Sequence, residues 1–187
     1  MNVAICGKLG SGKTTVARYL VENYSYERVS FADPMREITQ YVLGIKDKTD
    51  PRYRPAMQEL GTDWGRKWNE NCWVDILLFK TTTDIQTKMF VVDDVRFQNE
   101  VESLLKAGWK FIFLKTKWQE RECRCLERDG NFDPASMLHK SETNCDCIAK
   151  DFKDDLFFID NNGSLDSLYR AVDQFMELNK VGKKNSK

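Results

Sequence analysis

The sequence predicts an α/β protein with a mostly parallel, five-stranded sheet flanked by helices. Over 187 residues, short runs rich in β-branched and aromatic residues alternate with segments of helical periodicity. Strands that alternate with helices form parallel sheets covered on both faces. A glycine-rich segment, residues 7–14, joins the first strand to the first helix. The length fits one domain, which we place at residues 1–180, with a disordered tail expected at 181–187.

Five segments have the apolar composition of buried strands. They are residues 2–6, 28–31, 88–94, 109–114 and 156–160. The order in which they occur, with helical segments between them, is the basis for predicting a parallel sheet.

Helices are predicted from apolar spacing and from their end residues. A stripe from Val16 to Tyr24 follows the first strand, and the clearest helical period begins at Leu165. Asp33 and Pro34 are typical of an N-cap and a first helical residue. Gly108 is expected to end a helix that starts near residue 97.

Two longer segments interrupt this alternation. Residues 46–86 have helical composition and are interpreted as an insertion, whereas residues 120–154 are charged and weakly periodic. Parallel sheets bind ligands at the carboxyl ends of their strands. We therefore expect both segments to lie at that edge, the second of them as a lid region.

Charge and hydropathy exclude several classes of protein. Lysine and arginine total 29, as do aspartate and glutamate, so the net charge is zero and coating of polymeric nucleic acid is not expected. The mean hydropathy is −0.57, and neither a membrane span nor a signal peptide is apparent. We expect a cytoplasmic protein without a membrane partner.

The strongest motif is the segment from Gly7 to Thr14, which fits G-x-x-x-x-G-K-[ST] at every fixed position. Its glycines let the backbone curl so that several N–H groups point at one phosphate chain. Lys13 is expected to reach the outer phosphates and to be catalytic, and the Thr14 hydroxyl to bind Mg²⁺. The nucleotide-binding residues predicted here are Gly10, Ser11, Gly12, Lys13, Thr14 and Thr15.

The motif by itself predicts binding of a nucleoside triphosphate. The guanine-reading sequence Asn-Lys-x-Asp is absent from the chain. Motor ATPases are normally longer and carry additional domains, so a small-molecule kinase that uses ATP is the favoured interpretation.

Carboxylates lie at the end of the third predicted strand. Asp94 at this position could orient Mg²⁺, accept a proton or hold an acceptor hydroxyl, and Arg96 could pair with an anionic substrate. The alternative is that Asp94 only caps the following helix. Asp33 has a sufficient structural role as a cap, with a catalytic role as its alternative.

Five further segments, in order along most of the chain, make the sequence similar to a known family. They are Ser30-Phe31-Ala32-Asp33-Pro34, Met57-Gln58-Glu59-Leu60-Gly61-Thr62-Asp63, Cys72-Trp73-Val74, Asp94-Val95-Arg96-Phe97-Gln98-Asn99-Glu100 and Asn162-Gly163-Ser164-Leu165. The chain resembles the deoxynucleoside monophosphate kinases of bacteriophages. This resemblance implies a P-loop fold and Mg²⁺-dependent transfer of the γ-phosphoryl group of ATP to a deoxynucleoside monophosphate.

The resemblance also implies residue roles. The monophosphate pocket would be lined by Arg36, Arg54, Gly61, Thr62 and Trp73. The sugar and base side of the acceptor would be held by Asp94, Arg96 and Glu100. Trp73 as a core residue and Arg54 as a solvated cation remain the alternatives.

The lid region contains Arg121, Arg124 and Arg128, which would share one helix face. They are predicted to stabilise the transferred phosphoryl group, with a solvated helix face as the alternative. The segment from His139 to Glu142 resembles a His-x-Ser/Thr-Glu element of the family's lid, although a single histidine in a polar segment is more often solvated.

Two Cys-x-Cys pairs invite comparison with zinc lids. Cys123, Cys125, Cys145 and Cys147 supply four thiols, but structural zinc sites usually have two residues between paired cysteines. Residues two apart in a helix also face different directions. Zinc is therefore the disfavoured interpretation.

The same sequence features are compatible with other acceptors and with a non-catalytic role. Another acceptor, such as dephospho-coenzyme A or a modified base in DNA, would suit the same phosphate loop, as would a non-catalytic nucleotide-binding switch. The accepted bases and the oligomeric state, with a homodimer among the options, do not follow from the sequence. If the chain is encoded by a phage, we expect it in the host cytoplasm.

Overall fold

The computed structural model describes residues 1–83, 88–130 and 140–184. Its strands are β1 (Val3–Gly7), β2 (Tyr26–Val29), β3 (Met89–Val92), β4 (Lys110–Lys115) and β5 (Leu156–Asp160). They form one sheet in the order β2-β3-β1-β4-β5. The pairings of β1 with β3, β1 with β4 and β4 with β5 are parallel. The predicted five-stranded α/β fold is confirmed.

The α-helices come next in chain order. They are α1 (Lys13–Tyr24), α2 (Asp33–Glu37), α3 (Tyr53–Gln58), α4 (Gly65–Trp68), α5 (Cys72–Thr83), α6 (Gln98–Lys106), α7 (Trp118–Asp129), α8 (Lys140–Asp151) and α9 (Leu165–Leu178). Two π-helical segments, Ile38–Val42 and Glu59–Trp64, continue α2 and α3. Within the described residues, no helix is both long and apolar enough to cross a membrane.

The chain divides into two compact units. The sheet unit consists of Met1–Arg28 and Thr87–Lys187, and the helical unit of Val29–Gln86. The segment 46–86, interpreted from the sequence as an insertion, falls inside the helical unit.

The core of the sheet unit explains the fold class. All five residues of β1 are buried. Because successive strand residues face opposite sides, this burial requires a cover on both faces of the sheet. On one side, α1 and α9 pack against Val3 and Ile5 through residues such as Leu20 and Val172.

Several element boundaries differ from the sequence prediction, and the turn after the second strand explains two of them. The second strand ends at Val29 rather than residue 31, because Ser30 N donates to Asp33 Oδ2 at 3.0 Å and starts a turn there. Asp33 is consequently the first residue of α2, and Ala32 is its N-cap. The end of α6 before Gly108, whose φ is +79°, follows the prediction.

The described part of the segment 181–187 lies against α1. Lys184 N donates to Asn23 O at 2.8 Å, and Lys183 Nζ contacts Asp173 Oδ2 at 2.6 Å. The Asp173 carboxylate also accepts from Tyr19 Oη and Tyr24 Oη. Burial by itself raises the pKa of Asp173, but the three donated hydrogen bonds outweigh it and lower that pKa overall.

Candidate functional site

The glycine-rich segment 7–14, called the phosphate loop, runs from the end of β1 to the start of α1. At two of its positions the backbone conformation and the close neighbours require glycine. Gly10 and Gly12 have φ of +76° and +96°, in the left-handed region that other residues rarely adopt. A Cβ on Gly10 would lie 2.7 Å from Arg121 O, and one on Gly12 would lie 2.5 Å from Asn161 Nδ2. Close neighbours from other elements therefore surround the loop.

The Lys13 ammonium is held by the loop itself. Its Nζ donates to Gly7 O at 2.6 Å and to Lys8 O at 2.9 Å. Burial lowers the pKa of Lys13, and the nearby Arg96 guanidinium lowers it further, while Glu142 acts in the opposite direction. An ammonium on carbonyl oxygens can exchange them for the oxygens of a phosphate group.

The three arginines predicted for the lid region lie on one helix, α7, and two of them reach residues around the phosphate loop. Arg121 Nη1 donates to Leu9 O at 3.3 Å. Arg124 Nη2 donates to Asn161 O at 3.0 Å, and Asn161 Nδ2 in turn donates to Ser11 O at 2.8 Å. Arg128 is exposed near the end of the helix. Thus Arg121 contacts the loop directly and Arg124 does so through Asn161.

A carboxylate of α8 also holds the loop, and the sequence placed it in a family-like lid element without predicting this contact. Glu142 Oε2 accepts from Leu9 N at 2.7 Å and lies 3.9 Å from Arg121 Nη1. One helical turn later, Asp146 pairs with Lys8 at 2.7 Å. The sequence signal for this contact was the glutamate that ends the family-like segment, followed four residues later by a second carboxylate. His139 lies outside the described residues.

The residues that follow β3 have mixed roles. Asp93 is buried and takes two hydrogen bonds from Arg28, at 2.9 and 3.0 Å. Asp94 is half-buried and Arg96 is exposed. Glu100 is buried, and its Oε2 accepts from Arg96 N at 2.7 Å and from Phe97 N at 3.0 Å. Glu100 therefore caps α6 and fixes the turn that carries Arg96.

In the helical unit, the predicted pocket residues occupy different environments. Arg36 Nη1 lies 2.5 Å from Asp33 Oδ1, whereas Arg54 is exposed on α3. Trp73 is buried, and its Nε1 donates to Gly61 O at 3.3 Å. Trp73 thus packs in the core of this unit, as its alternative interpretation states. The backbone of Thr62 belongs to the second π-helical segment.

Gly61 also has a second partner that the sequence did not predict. Arg66 Nε donates to Gly61 O at 3.0 Å, so two side chains hold one carbonyl oxygen. A Cβ on Gly61 would lie 2.9 Å from Met35 Sδ. The role of Gly61 in the structure is close packing inside the helical unit.

Two metal sites were considered from the sequence, one for Mg²⁺ at Thr14 and one for zinc at four cysteines, and their ligand atoms differ. Thr14 is an exposed residue at the start of α1, and a hydroxyl oxygen such as its own suits Mg²⁺. Of the four cysteines considered for zinc, Cys125 and Cys145 are buried, whereas Cys123 and Cys147 are exposed. Residues 1–83, 88–130 and 140–184 contain no group of three or more His, Cys, Asp or Glu that could hold a metal ion. The helical spacing of each pair turns its two thiols in different directions.

Comparison with known proteins adds a distant relative in sequence. A protein of Acanthamoeba polyphaga mimivirus, described as "Putative deoxynucleotide monophosphate kinase", is 27% identical to the chain over 141 residues. The match covers 59% of this chain and 71% of the viral protein. No protein-family model matches the chain.

Solved structures define the fold more completely. A gluconokinase from Sinorhizobium meliloti aligns with a TM-score of 0.58 at 17% identity, covering 95% of this chain and 94% of its own. A sugar kinase from Janibacter sp. aligns with a TM-score of 0.56 at 18% identity, covering 96% and 94%. These similarities are in fold alone: the parallel sheet with its flanking helices is shared with solved structures of two kinases.

Proposed function

We propose that the chain transfers the γ-phosphoryl group of ATP to a deoxynucleoside monophosphate and releases the diphosphate and ADP. The observation that carries this proposal is the complete phosphate loop, in which Lys13 and Arg121 converge on the backbone of residues 7–9. The choice of acceptor rests on the similarity to the mimiviral protein and on the ordered family-like segments.

On the donor side, the loop supplies backbone N–H groups and the amino end of α1 to the phosphates. We assign Lys13 to the outer phosphates, which would replace the carbonyl oxygens of Gly7 and Lys8 as its partners. The exposed Thr14 hydroxyl would hold Mg²⁺, which supplies charge neutralisation between the phosphates when bound.

On the acceptor side, two arginines of the helical unit are assigned to the monophosphate. Arg54 is exposed, and no hydrogen bond or ion pair is found for it within the described residues, so its planar donors are available to a phosphate. Arg36 would exchange its contact with Asp33 for the acceptor.

In the sheet unit, the acceptor's sugar side is assigned to Asp94 and Arg96, with Glu100 acting through the turn that it caps. Gly61, Thr62 and Trp73 would shape the pocket wall of the helical unit, with Trp73 held by its hydrogen bond to Gly61 O.

Catalysis in this proposal consists of positioning and charge stabilisation. The phosphoryl group in transit carries spread negative charge, and preorganised cations lower its energy more than water does. Arg121, Arg124 and Arg128 on α7 would supply these cations. Closing the lid region would exclude water, which would otherwise hydrolyse ATP.

The test is a substrate panel. The purified chain, ATP and Mg²⁺ are incubated with each deoxynucleoside monophosphate, and ADP and diphosphate formation are followed. Turnover of at least one monophosphate, well above the ATP hydrolysis seen without acceptor, is the expected result. ATP binding without turnover of any monophosphate contradicts the proposal.

The same panel separates the alternatives. Gluconate enters as an acceptor because a gluconokinase shares the fold. Dephospho-coenzyme A and duplex DNA represent the remaining acceptor classes. ATP binding without turnover of any acceptor would instead indicate a nucleotide-binding switch. The oligomeric state, for which a homodimer stays a prediction, is measured on the same sample by light scattering.

A further inference from the structure

We propose that Glu142 is a positioning residue for phosphoryl transfer: it holds Leu9 of the phosphate loop and orients Arg121 for the phosphates of ATP. This inference rests on the proposed kinase function, since it assigns a role within the same site. Glu142 reaches the loop from a helix far along the chain, since 133 residues separate it from Leu9 in the sequence.

The first observation is that one loop residue is held from two sides. Leu9 N donates to Glu142 Oε2 at 2.7 Å, and Leu9 O accepts from Arg121 Nη1 at 3.3 Å. Glu142 belongs to α8 and Arg121 to α7, the two helices of the lid region. The backbone of Leu9 therefore links both helices to the phosphate loop.

The second observation is the burial of the charges involved. The side chains of Glu142 and Arg121 are each only 7% exposed, and their charged atoms lie 3.9 Å apart. A carboxylate removed from water is costly unless hydrogen bonds and an opposite charge compensate it. Leu9 N supplies the hydrogen bond and Arg121 the charge, so this arrangement restricts the guanidinium to one place.

The third observation is that α8 is fixed along its length. Asp146 pairs with Lys8, Ile148 is fully buried, and Asp151 accepts from Gln98 Nε2 at 2.6 Å. Glu142 therefore projects from a firmly packed helix. A rigid support is what a residue needs if it is to set the orientation of another side chain.

The consequence concerns the free energy of binding ATP. An arginine that is already oriented loses less side-chain entropy when it meets the phosphates. Without the Glu142 charge, Arg121 would sample other rotamers, and Leu9 would lose part of its support. We expect both effects to weaken ATP binding, with a further loss in the rate of phosphoryl transfer.

The decisive measurement is the affinity for Mg²⁺ and ATP without acceptor, by calorimetry on the full chain. Glu142→Gln is isosteric and keeps an oxygen for Leu9 N, but it removes the charge opposite Arg121. We expect roughly tenfold weaker binding, the factor that corresponds to about 1.4 kcal/mol. Glu127→Gln, the same substitution at an exposed position of α7, is the matched control and should bind within about twofold of wild type.

A double-mutant cycle tests whether Glu142 acts through Arg121. If it does, Glu142→Gln should add little to the loss that Arg121→Met causes in ATP affinity and in kcat. Independent, multiplying losses would overturn the inference. So would a Glu142→Gln chain that binds ATP as tightly as wild type.

A second variant covers the case in which Glu142→Gln does not fold, as judged by circular dichroism. Glu142→Asp keeps the charge but withdraws it from Leu9 N by one methylene, and we expect an intermediate loss of ATP affinity. Wild-type affinity in this variant would also overturn the inference.

The test of the Glu142 role can fail independently of the test of kinase activity. A wild-type chain that binds ATP but transfers no phosphoryl group contradicts the kinase proposal, while the affinities still test the link between Glu142 and Arg121. Turnover with unchanged ATP affinity and unchanged kcat in Glu142→Gln contradicts only the positioning role.

Discussion

Gly10→Ala should lower both the stability of the chain and its affinity for ATP. A second glycine with the same backbone conformation, Gly108, separates backbone strain from steric collision as the cause. Gly10 and Gly108 have nearly the same φ, +76° and +79°. A Cβ on Gly108 would meet nothing within 4 Å, whereas one on Gly10 would lie 2.7 Å from Arg121 O. Gly108→Ala therefore measures the backbone strain without a collision.

The two costs can be estimated separately. Placing a Cβ in the left-handed region costs about 1–2 kcal/mol, which both variants share. Relieving the collision in Gly10→Ala requires a backbone shift of the loop or of α7, and such overpacking adds about 1–3 kcal/mol. For a chain of this size, 1 kcal/mol lowers Tm by roughly 2–4 °C.

The assay is thermal unfolding of both variants followed by ATP titration. We expect Gly10→Ala to unfold at a lower temperature than Gly108→Ala and to lose ATP affinity, because the shift displaces the backbone of Arg121. Gly108→Ala should keep its affinity. Equal Tm values and equal ATP affinities in the two variants would refute the reasoning.

Three further predictions concern other groups. Lys13→Met should keep the fold but lose kinase turnover by roughly a thousandfold or more, since it removes the cation on the outer phosphates; a variant that retains turnover contradicts the donor assignment. Arg54→Ala should raise KM for the monophosphate without changing KM for ATP, while Arg52→Ala, which removes an arginine paired with Asp50, should change neither. Asp173→Asn should lower the free energy of unfolding by about 1–3 kcal/mol at neutral pH. Because folding lowers the pKa of Asp173, the difference in free energy of unfolding between wild type and Asp173→Asn is fully present above the pKa of the unfolded carboxyl, near 4. This difference should shrink as the pH falls below that pKa. A difference that persists unchanged at pH 2 would contradict this account.

Local sequence was sufficient for the phosphate loop. Gly10, Gly12 and Lys13 are close in sequence, and their conformations follow from the strand before them and the helix after them. The alternation of strands and helices likewise predicted the parallel sheet. Element ends were predicted less accurately, since the contact of Asp33 with Ser30 ends the second strand at Val29.

The roles of other residues could be assigned only from the tertiary structure, because different roles can produce the same sequence pattern. Glu100 matches a family-like segment, yet its carboxylate caps α6. Trp73 matches another, yet it is buried against Gly61. A cap or a core position and a substrate contact can favour the same residue type, so only the surroundings of the side chain distinguish them.

By itself, the sequence determined the fold class and the glycine-rich loop between β1 and α1, since the first depends on periodicity and the second on residues within one short segment. The tertiary structure decided which distant side chains hold that loop. Glu142 and Arg121 meet Leu9, and Arg28 meets Asp93, across separations of 133, 112 and 65 residues. Such contacts depend on how the helices and strands pack in three dimensions. Their energies come from burial and charge compensation, which local sequence patterns do not record.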